Sequence, residues 1–580
     1  VAVRPLRRGH RTLNRAVQLV NASAAWNTLG GQGNAGAGMK IAIIDTGIDQ
    51  THPAFQDSSL AMPAGFPKCT AGHPEDCAYT NNKVIVARSY VRQIASGVDT
   101  SNPAATSTPD DYSPRDRDGH GTAVASITAA NVNNGTVTFN GVAPKAYLGN
   151  YKVYGTDGVN DFPSEDIYIM ALEDALNDGM DVANFSSGLS ALTGPLDTGA
   201  ACGLPVGAAC DPLASAFETA AHAGMAIAVS AGNDGSLSFD EFNGPQRSLQ
   251  TISTPGTAPS VITAGATLNS HVMQPGVSVN SPSAPANVKR IPAQMSDSSF
   301  FPSTFGANQG PLIDVATVAS GASACGTLPG FSLYGVYALI QASSACDFST
   351  QASNAQSAGA TGIIFYSNGP GTLSSPENIM FFGPVVLISN SDGLALKSYI
   401  DANPGQMTTI DTAGTEQDLS TYSTDQNFRP ALQANQLASY SSLGPAPDGS
   451  IKPDLAATGG FDLDQVPDHG DFYLPAPSGM YTAGQNFDPT GELYTTNRYV
   501  AANGTSFAAP MTAGAAALVK QAHPGYNGAQ IKSALVNSAS ISSVGTDDLG
   551  NRVDVEDAGA GLLNAGAAVN AVVTAAPASF

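Results

Sequence analysis

The chain has 580 residues, of which 42% are hydrophobic and 12% are charged, and its formal net charge is −23. This length is too great for one ordinary hydrophobic core, so two or more domains are expected. The acidic balance disfavours nucleic acid as a partner, because phosphate binding needs clustered Lys and Arg. No apolar run reaches the length of about 18 residues that suggests a membrane span, so no membrane partner is expected. Composition leaves the oligomeric state open.

The N-terminal segment is basic, because the first fifteen residues include Arg at positions 4, 7, 8, 11 and 15. We interpret residues 1–25 as a solvated basic arm, with the remnant of a cleaved prosegment as the alternative.

Short apolar runs then alternate with segments typical of helices. The run from Met39 to Ile44 ends at Asp45 and is typical of a strand buried on both faces of a parallel sheet. Further strands are predicted at 84–87, 147–153, 180–185, 225–229 and 259–264, and helices at 164–179 and 212–224. This alternation predicts an α/β fold with a parallel sheet flanked by helices.

The second half has a different texture. Residues 271–305 are polar and rich in Pro and Ser, which favours a connector. Strands are then predicted at 333–340, 362–366 and 384–388, and helices at 348–358, 392–401, from Ser506 onward, 527–540 and 561–571. We therefore predict one α/β domain, formed by residues 26–307 and 426–580, that is interrupted by a smaller inserted domain at 308–425.

The six cysteines fall into pairs that are close in sequence, and none has the spacing of a zinc site. The sequential pairing closes three short loops and is the simplest of the connectivities that six cysteines allow: Cys69 with Cys77, Cys202 with Cys210, and Cys325 with Cys346. Disulfides place a protein outside the cytosol, so a secreted, extracellular protein is expected.

Three segments combine a reactive side chain with small neighbours: DTGID from Asp45, GHGTAVAS around His120, and NGTSFAAP around Ser506. Each has a structural interpretation of its own, because Asp before Gly makes turns and His and Ser cap helices. Together, Asp, His and Ser are the orienting group, base and nucleophile of a serine hydrolase. The joint pattern therefore favours catalysis.

These blocks, in the order Asp, His, Ser, resemble the signature motifs of the subtilisin-like serine proteases, the subtilases. SAGND at 230–234, YSSLGP at 440–445 and IKPDLAA at 451–457 match as well. The resemblance implies that Ser506 is the nucleophile, that His120 takes and returns its proton, and that Asp45 holds the imidazole. It also implies an oxyanion hole formed by the side chain of Asn233 and the backbone N–H of Ser506.

The resemblance further implies a substrate-binding segment that pairs with the backbone of an extended peptide. Ser186, Ser187 and Gly188 match that segment. Ala231 and Gly232 are expected to wall the pocket for the residue before the scissile bond. Ser187 stands where the family more often has an apolar residue, so the preference of that pocket is not predicted. Residues 457–459 read Ala-Thr-Gly where Ala-Pro-Gly is more usual, which concerns a loop.

The predicted insertion resembles a protease-associated (PA) domain, on the residues CGTLP from Cys325, YGVYALIQ at 334–341, Cys346 and AQSAGATGIIFYSN at 355–368. A disulfide between the two cysteines fits that resemblance. PA domains gate or recognise substrate and supply no catalytic residue. The final residues resemble the segment that starts the β-domain of larger subtilases, and the sequence leaves open whether such a domain was removed.

Four acidic residues precede His120, namely Asp110, Asp111, Asp116 and Asp118. A solvated acidic loop is the first interpretation, and a structural calcium site is the alternative. The chemistry itself requires no metal or other cofactor.

The sequence thus predicts a serine endopeptidase acting on proteins or peptides through an acyl-enzyme. An esterase of the α/β-hydrolase type is disfavoured, because Ser506 lies outside a G-x-S-x-G motif and the triad order differs. A binding protein with a decayed protease fold is disfavoured because Asp45, His120, Asn233 and Ser506 are all present.

Overall fold

The computed structural model describes residues 15–96, 110–135, 137–235, 237–240, 244–296, 308–318, 323–369, 379–418, 433–461, 479–495, 497–547 and 550–576. Two compact units divide the chain. Unit 1 comprises residues 1–270, 433–462 and 479–580, and unit 2 comprises residues 271–432 and 463–478.

The described helices and strands follow one another in the order expected for an α/β chain. The helices are α1 Ala16–Leu19, α2 Ala22–Thr28, α3 Val91–Ala95, α4 His120–Ala129, α5 Glu165–Asn177, α6 Pro212–His222, α7 Ala286–Lys289, α8 Val315–Val318, α9 Phe348–Ser357, α10 Asn390–Ala402, α11 Thr505–Ala522, α12 Gly528–Ser538, α13 Val555–Ala558 and α14 Ala565–Ala568. The strands are β1 Lys40–Asp45, β2 Lys68–Cys69, β3 Val84–Ser89, β4 Asn133–Asn134, β5 Thr138–Phe139, β6 Tyr147–Lys152, β7 Val182–Phe185, β8 Leu189–Ser190, β9 Ala226–Ser230, β10 Leu237–Asp240, β11 Gly244–Arg247, β12 Ser253–Thr254, β13 Ile262–Leu268, β14 His271–Val279, β15 Ile291–Pro292, β16 Gln294–Met295, β17 Asn308–Asp314, β18 Tyr337–Gln341, β19 Gly362–Tyr366, β20 Val385–Ile388, β21 Met407–Asp418, β22 Leu455–Gly460, β23 Met480–Ala483 and β24 Tyr499–Ala502.

A parallel sheet forms the centre of unit 1. Its described strands lie in the order β2-β3-β6-β1-β7-β9-β13-β22, and every neighbouring pair is parallel. The chain adds strands on one side of β1 as far as β6 and then crosses to β7 on the other side. Open α/β sheets place their sites at the carboxyl ends of strands near such a reversal. The parallel sheet flanked by helices that the sequence predicted is confirmed.

Helices α5 and α6 cover one face of this sheet with aromatic side chains. The ring of Tyr168 on α5 lies 5.0 Å from that of Phe185 on β7, which lies 5.1 Å from that of Phe217 on α6. All three residues are buried. Edge-to-face contacts of this kind add to the free energy gained by burying large apolar surfaces. They fix β7, whose carboxyl end leads into the predicted substrate-binding segment.

A fully buried ion network lies beside the last strands of the sheet. Asp454 accepts a bond of 2.8 Å from the ammonium of Lys452, and the ammonium of Lys532 on α12 lies 2.7 Å from its other oxygen. Burial alone would raise the pKa of Asp454, but the two ammonium groups outweigh it and lower that pKa. The network therefore ties α12 to the segment that leads into β22.

Unit 2 contains a second sheet, in which the described strands lie in the order β15-β14-β21-β17-β18-β19-β20-β16. Strands β17 to β20 are parallel to one another, and β14, β15, β16 and β21 pair antiparallel. The predicted connector at 271–305 is wrong in its first part, because β14 pairs with β21 along His271–Val279. The apolar residues of this strand, Val272, Met273, Val277 and Val279, are interrupted by Pro275 and followed by a polar segment, so the sequence shows no regular strand pattern. The inserted PA domain predicted at 308–425 lies within unit 2, and its assignment and bounds stay predictions.

The three disulfides follow the sequential pairing: Cys69–Cys77, Cys202–Cys210 and Cys325–Cys346, with Cα–Cα distances of 5.3, 5.7 and 5.7 Å. The arm predicted at 1–25 lies partly outside the described residues. From Arg15 on, the arm forms α1 and the start of α2. Just before α2, Asn21 Nδ2 donates a hydrogen bond of 2.9 Å to Asn564 Oδ1.

Candidate active site

Asp45 and His120 form the first half of the candidate site. Asp45 is the last residue of β1 and is buried, and its Oδ1 accepts bonds from the backbone N–H of Thr46 (2.7 Å) and from His120 Nδ1 (2.8 Å). Because Nδ1 is held by the carboxylate, the Nε2 atom of the imidazole is the one left for chemistry. The pairing predicted from two motifs 75 residues apart therefore exists in the structure.

His120 is held at the start of α4 by a network of polar side chains. Asp116 is buried and accepts bonds from the Thr46 hydroxyl (3.0 Å) and from the backbone N–H groups of Gly119 (2.8 Å) and Thr122 (2.9 Å). Asp118 accepts the backbone N–H of His120 at 2.7 Å. These carboxylates accept hydrogen bonds from backbone N–H groups that have no partner within the helix at its first turn. Asp116 thus joins the end of β1 to the start of α4 and sets the spacing of Asp45 and His120.

The surroundings of His120 change its pKa strongly. Burial by itself disfavours the charged imidazolium, but the Asp45 carboxylate outweighs burial, with further attraction from Asp118 and Glu492. Together these groups raise the pKa of His120 to about 9. The surroundings of His120 therefore stabilise the imidazolium, which is the form that a histidine base takes after it accepts a proton during acyl transfer.

Ser506 lies in the first turn of α11 and is tied to Ser186. The Ser506 hydroxyl donates to the Ser186 carbonyl at 3.1 Å, and the Ser186 hydroxyl donates to the Ser506 carbonyl at 2.8 Å. The second bond exists because Pro510, four residues on, has no N–H to give to that carbonyl. Within the described residues the Ser506 hydroxyl bonds to Ser186 and not to His120. The ring of Phe507 lies 5.6 Å from the His120 ring, so the start of α11 faces the imidazole.

Asn233 lies in the loop after β9, beside the start of α11. Its Oδ1 accepts bonds from both the backbone N–H (2.9 Å) and the hydroxyl (2.8 Å) of Thr505. In the described part of the chain the Nδ2 donor has no hydrogen-bond partner, so it is available to a ligand. A Cβ atom added to Gly504 would lie 3.5 Å from Asn233 Nδ2 and 3.6 Å from the backbone nitrogen of Ser506, so both donors border one small space. Gly504 has φ +147°, which favours glycine there.

The predicted substrate-binding residues lie at the carboxyl ends of two neighbouring strands. Ser186, Ser187 and Gly188 follow β7, and Ala231 and Gly232 follow β9. A Cβ added to Gly188 or to Gly232 would come within 2.5 and 2.4 Å of Ser253, so only glycine lets the two segments approach β12. Ser186, the first residue of this segment, is bonded to Ser506.

A cleft of about 320 Å³ opens beside His120. Asp45, Thr46, His120 and Ser186 line one part of it, and five further residues line the rest: Asp118, Tyr154, Asp157, Asp161 and Glu492. Tyr154 bonds to the hydroxyls of Ser187 and Tyr168. Asp118 was predicted to lie in a solvated acidic loop, with a calcium site as the alternative, and the other four residues were not predicted from sequence. They belong to no motif, and Glu492 is distant in the chain from the other four.

The acidic residues before His120 do not form a cation site among the described residues. Asp110 accepts hydrogen bonds from Thr156 and Asn160, and Asp111 accepts one from the backbone N–H of Ser113. Asp116 and Asp118 accept hydrogen bonds from backbone N–H groups at the start of α4. No group of three or more His, Cys, Asp or Glu side chains in the described part of the chain has an arrangement suited to a metal ion. The alternative of a calcium site in this loop finds no support in the geometry.

The sequence model of the subtilase family matches residues 36–563. The chain belongs to the subtilase family. The matched range contains both segments of unit 2 and most of the three segments of unit 1.

Among characterised relatives, Subtilisin-like protease SBT1.9 of Arabidopsis thaliana is 29% identical over 523 residues, which covers 87% of this chain and 60% of that protein. Minor extracellular protease Vpr of Bacillus subtilis is 28% identical over 525 residues, covering 90% of this chain and 50% of Vpr. C5a peptidase of Streptococcus pyogenes is 26% identical over 534 residues, covering 88% of this chain and 38% of that protein. The subtilase chain thus spans about half of the length of such relatives.

A comparison of folds gives the psychrophilic subtilisin-like protease Apa1 from the Antarctic psychrotroph Pseudoalteromonas sp. AS-11, with 18% identity, a TM-score of 0.43 and coverage of 97% of this chain and 98% of the other. In the part of the chain that the structure describes, no helix has both the length and the apolarity needed to cross a bilayer.

Proposed function

We propose that the protein is a secreted serine endopeptidase that hydrolyses peptide bonds through the triad Asp45, His120 and Ser506. The observation that carries the proposal is the 2.8 Å bond from His120 Nδ1 to Asp45, in a cleft that also contains Ser186, the residue bonded to Ser506. Membership of the subtilase family supports the same chemistry.

The reaction starts when Ser506 turns its hydroxyl from the Ser186 carbonyl to His120 Nε2. His120 takes the hydroxyl proton while the Ser506 oxygen attacks the substrate carbonyl. The bond to Asp45 keeps the imidazole in the required tautomer and stabilises the imidazolium. His120 then gives the proton to the leaving amine, and water hydrolyses the acyl-enzyme on Ser506. No cofactor takes part, because side chains and backbone groups supply every proton and charge.

The oxyanion of the tetrahedral intermediate lies between Asn233 Nδ2 and the backbone N–H of Ser506. The two bonds from Thr505 fix the Asn233 amide before substrate arrives, so little reorganisation is needed in the transition state. The position of Ser506 in the first turn of α11 adds the positive end of the helix dipole.

A protein or peptide substrate binds as an extended strand along Ser186, Ser187 and Gly188. Backbone pairing of this kind recognises peptides without reading their side chains. The side chain before the scissile bond, P1, enters the pocket walled by Ala231 and Gly232. Unit 2 includes the predicted PA domain, to which we assign a role in admitting substrate rather than in catalysis.

Secretion is supported by the three disulfides, since such bonds persist in oxidising compartments. The name of the Bacillus subtilis relative also describes an extracellular protease.

A serine-to-alanine pair of variants tests the proposal. Ser506→Ala is expected to lose both peptide hydrolysis and labelling by a fluorophosphonate probe, because only an activated serine reacts. Ser357→Ala, which changes a serine at the end of α9 in unit 2, is the matched control and retains both. Normal hydrolysis by Ser506→Ala would overturn the proposal. Cleavage-site profiling on a peptide library, with and without a chelator, then gives the pocket preference and tests whether a structural calcium ion is needed.

A further inference from the structure

The cleft beside His120 carries more negative charge than the triad requires. Asp118, Asp157, Asp161 and Glu492 all line it, in addition to Asp45. In the described part of the chain, none of these four carboxylates forms an ion pair with Lys, Arg or His. The nearest arginine in sequence, Arg117, is paired with Asp488 at 2.7 Å. The His120 imidazolium attracts Asp118 and Glu492, but it is a single positive charge beside the five carboxylates that line the cleft, so the lining keeps a net negative charge.

Asp118 and Asp157 are neighbouring carboxyl groups in this cleft. Asp118 is only 6% exposed, and it bonds with the side chain of Asp157. Two carboxyl groups in contact cannot both stay ionised without a proton or a cation between them. His120 attracts Asp118 only while the imidazole is charged, and it must be neutral to act as the base, so a ligand cation would supply positive charge to this pair in the reactive state.

Tyr154 gives the same cleft an aromatic wall. Its hydroxyl is held by Ser187 and by Tyr168, the latter at 2.7 Å, so the ring is fixed in place. Lys and Arg side chains have an apolar stem and a charged end. A fixed ring beside carboxylates suits both parts, because aromatic rings contact the stem and also attract cations.

The position of the cleft decides which substrate residue enters it. In an extended strand, successive side chains point to opposite faces. With P1 placed toward Ala231 and Gly232, as proposed above, the residue before it, P2, points to the opposite face, which we assign to the His120 side. His120 and Asp45 line the acidic cleft, which is therefore the subsite for P2.

We propose that this cleft selects substrates with Lys or Arg at P2, with Asp118 and Asp157 as the receptor for the cation and Asp161 and Glu492 at its rim. The inference rests on the proposed protease function and adds a substrate class to it. It makes these four residues specificity determinants rather than catalytic residues.

Two peptides that differ only at P2 test the inference: one with Lys, and one with norleucine, which keeps the stem and lacks the charge. The unaltered protein is expected to cleave the Lys peptide with a kcat/KM at least about tenfold higher, the effect of a charge-assisted hydrogen bond. The ratio should fall with added salt, because the cleft is open to solvent.

Asp157→Asn is expected to bring this ratio close to one while cleavage of the norleucine peptide persists, which shows that the variant is folded. If that variant does not fold, Glu492→Gln at the rim serves in its place and lowers the ratio by a smaller factor. Glu173→Gln, which removes a charge from the exposed face of α5, leaves the ratio unchanged.

Equal cleavage of the two peptides by the unaltered protein overturns the inference and leaves the protease function standing. A preference for Lys that survives both Asp157→Asn and Glu492→Gln also overturns it. Failure to cleave either peptide, or any member of a library, overturns the protease function itself.

Discussion

Ser186 and Ser506 exchange two hydrogen bonds, in each case from the hydroxyl of one residue to the backbone carbonyl of the other, at 3.1 and 2.8 Å. The exchange links the segment that follows β7 to the first turn of α11. It depends on Pro510, because an N–H at that position would occupy the Ser506 carbonyl within the helix. The proline is thus part of the link between the candidate nucleophile and the proposed substrate-binding segment.

A double-mutant cycle tests this role of Pro510. Ser186→Ala leaves the Ser506 carbonyl without its partner and is expected to lower the free energy of unfolding by about 1–2 kcal/mol. In a Pro510→Ala background the restored N–H takes over that carbonyl, so the same serine change costs less. Denaturant unfolding of the four proteins measures both costs. Equal costs in the two backgrounds would contradict the explanation, and Ser190→Ala, at an exposed position, is the control.

Asn233 and Thr505 give a second prediction. Asn233→Ala is expected to lower kcat by about 100- to 1000-fold with little change in KM, which is the known cost of losing an oxyanion donor in subtilisin, a member of this enzyme class. Thr505→Val removes the hydroxyl bond to Asn233 but keeps the backbone bond, so a smaller loss of kcat is expected. Thr505→Ser keeps both bonds and is the matched control. Steady-state kinetics decide, and a Thr505→Val enzyme with normal kcat would show that the amide needs no such support.

The pKa of His120 predicts the pH dependence of the reaction. A general base must be neutral, and Asp45 outweighs burial to raise the pKa of His120 to about 9. The value of kcat/KM for the free enzyme should therefore rise with pH up to about 9 and then level off, well above the usual His pKa of about 6.5. The raised pKa also means that stability from charged His120 is complete below about pH 6.5 and is lost as pH rises through about 9.

An NMR titration of the imidazole rings checks this assignment. The Asp45→Asn variant removes the main attraction and is expected to move the His120 titration to lower pH. His52 is the internal control, because burial lowers its pKa to about 4 and it should stay neutral across the same range. A His120 titration near pH 6.5 in the unaltered protein would contradict the prediction.

The acidic cleft predicts a second, separate effect of pH. Burial, followed by the charge of Asp116, raises the pKa of Asp118 to about 6, and burial, followed by Asp118, raises the pKa of Asp157 to about 7. His120 attracts the charge of Asp118, and Glu492 repels both. The preference for Lys over norleucine at P2 should therefore weaken as pH falls from about 7 to 5. Because both peptides use the same triad, their ratio cancels the titration of His120. A ratio independent of pH would contradict this account.

The buried network of Lys452, Asp454 and Lys532 predicts a large effect on stability. Asp454→Asn leaves two buried ammonium groups without a charge partner, and a decrease of about 3–5 kcal/mol in the free energy of unfolding is expected. The lowered pKa of Asp454 also means that this stability is complete above about pH 4 and is lost as pH falls further. Thermal unfolding of Asp454→Asn against Glu556→Gln, an exposed change, measures the difference. Equal melting temperatures would contradict it.

The candidate triad could be predicted from the sequence because each member lies within a compact motif. The strands of the unit 1 sheet were accessible for a related reason, since strands buried on both faces are continuous apolar runs. The predicted strand at 147–153 is observed as Tyr147–Lys152, and the predicted helix at 212–224 as Pro212–His222.

Other features depend on contacts between distant residues and have no local signal. Glu492 meets Asp118 in the cleft only because the fold brings them together. The bond that turns the Ser506 hydroxyl toward Ser186 is likewise tertiary. Local rules also failed in one place, because the predicted helix at 561–571 is regular only over Ala565–Ala568.

The order of the sheet along the chain has a consequence during synthesis on the ribosome. Asp45, His120 and Asn233 emerge early, but β22 and the helix with Ser506 emerge only after all of unit 2 from 271 to 432. A nascent chain that stops within unit 2 thus has the proposed base and oxyanion donor but lacks the proposed nucleophile. Because domains fold as units in the order of synthesis, proteolytic competence arises late, after the inserted unit has been made.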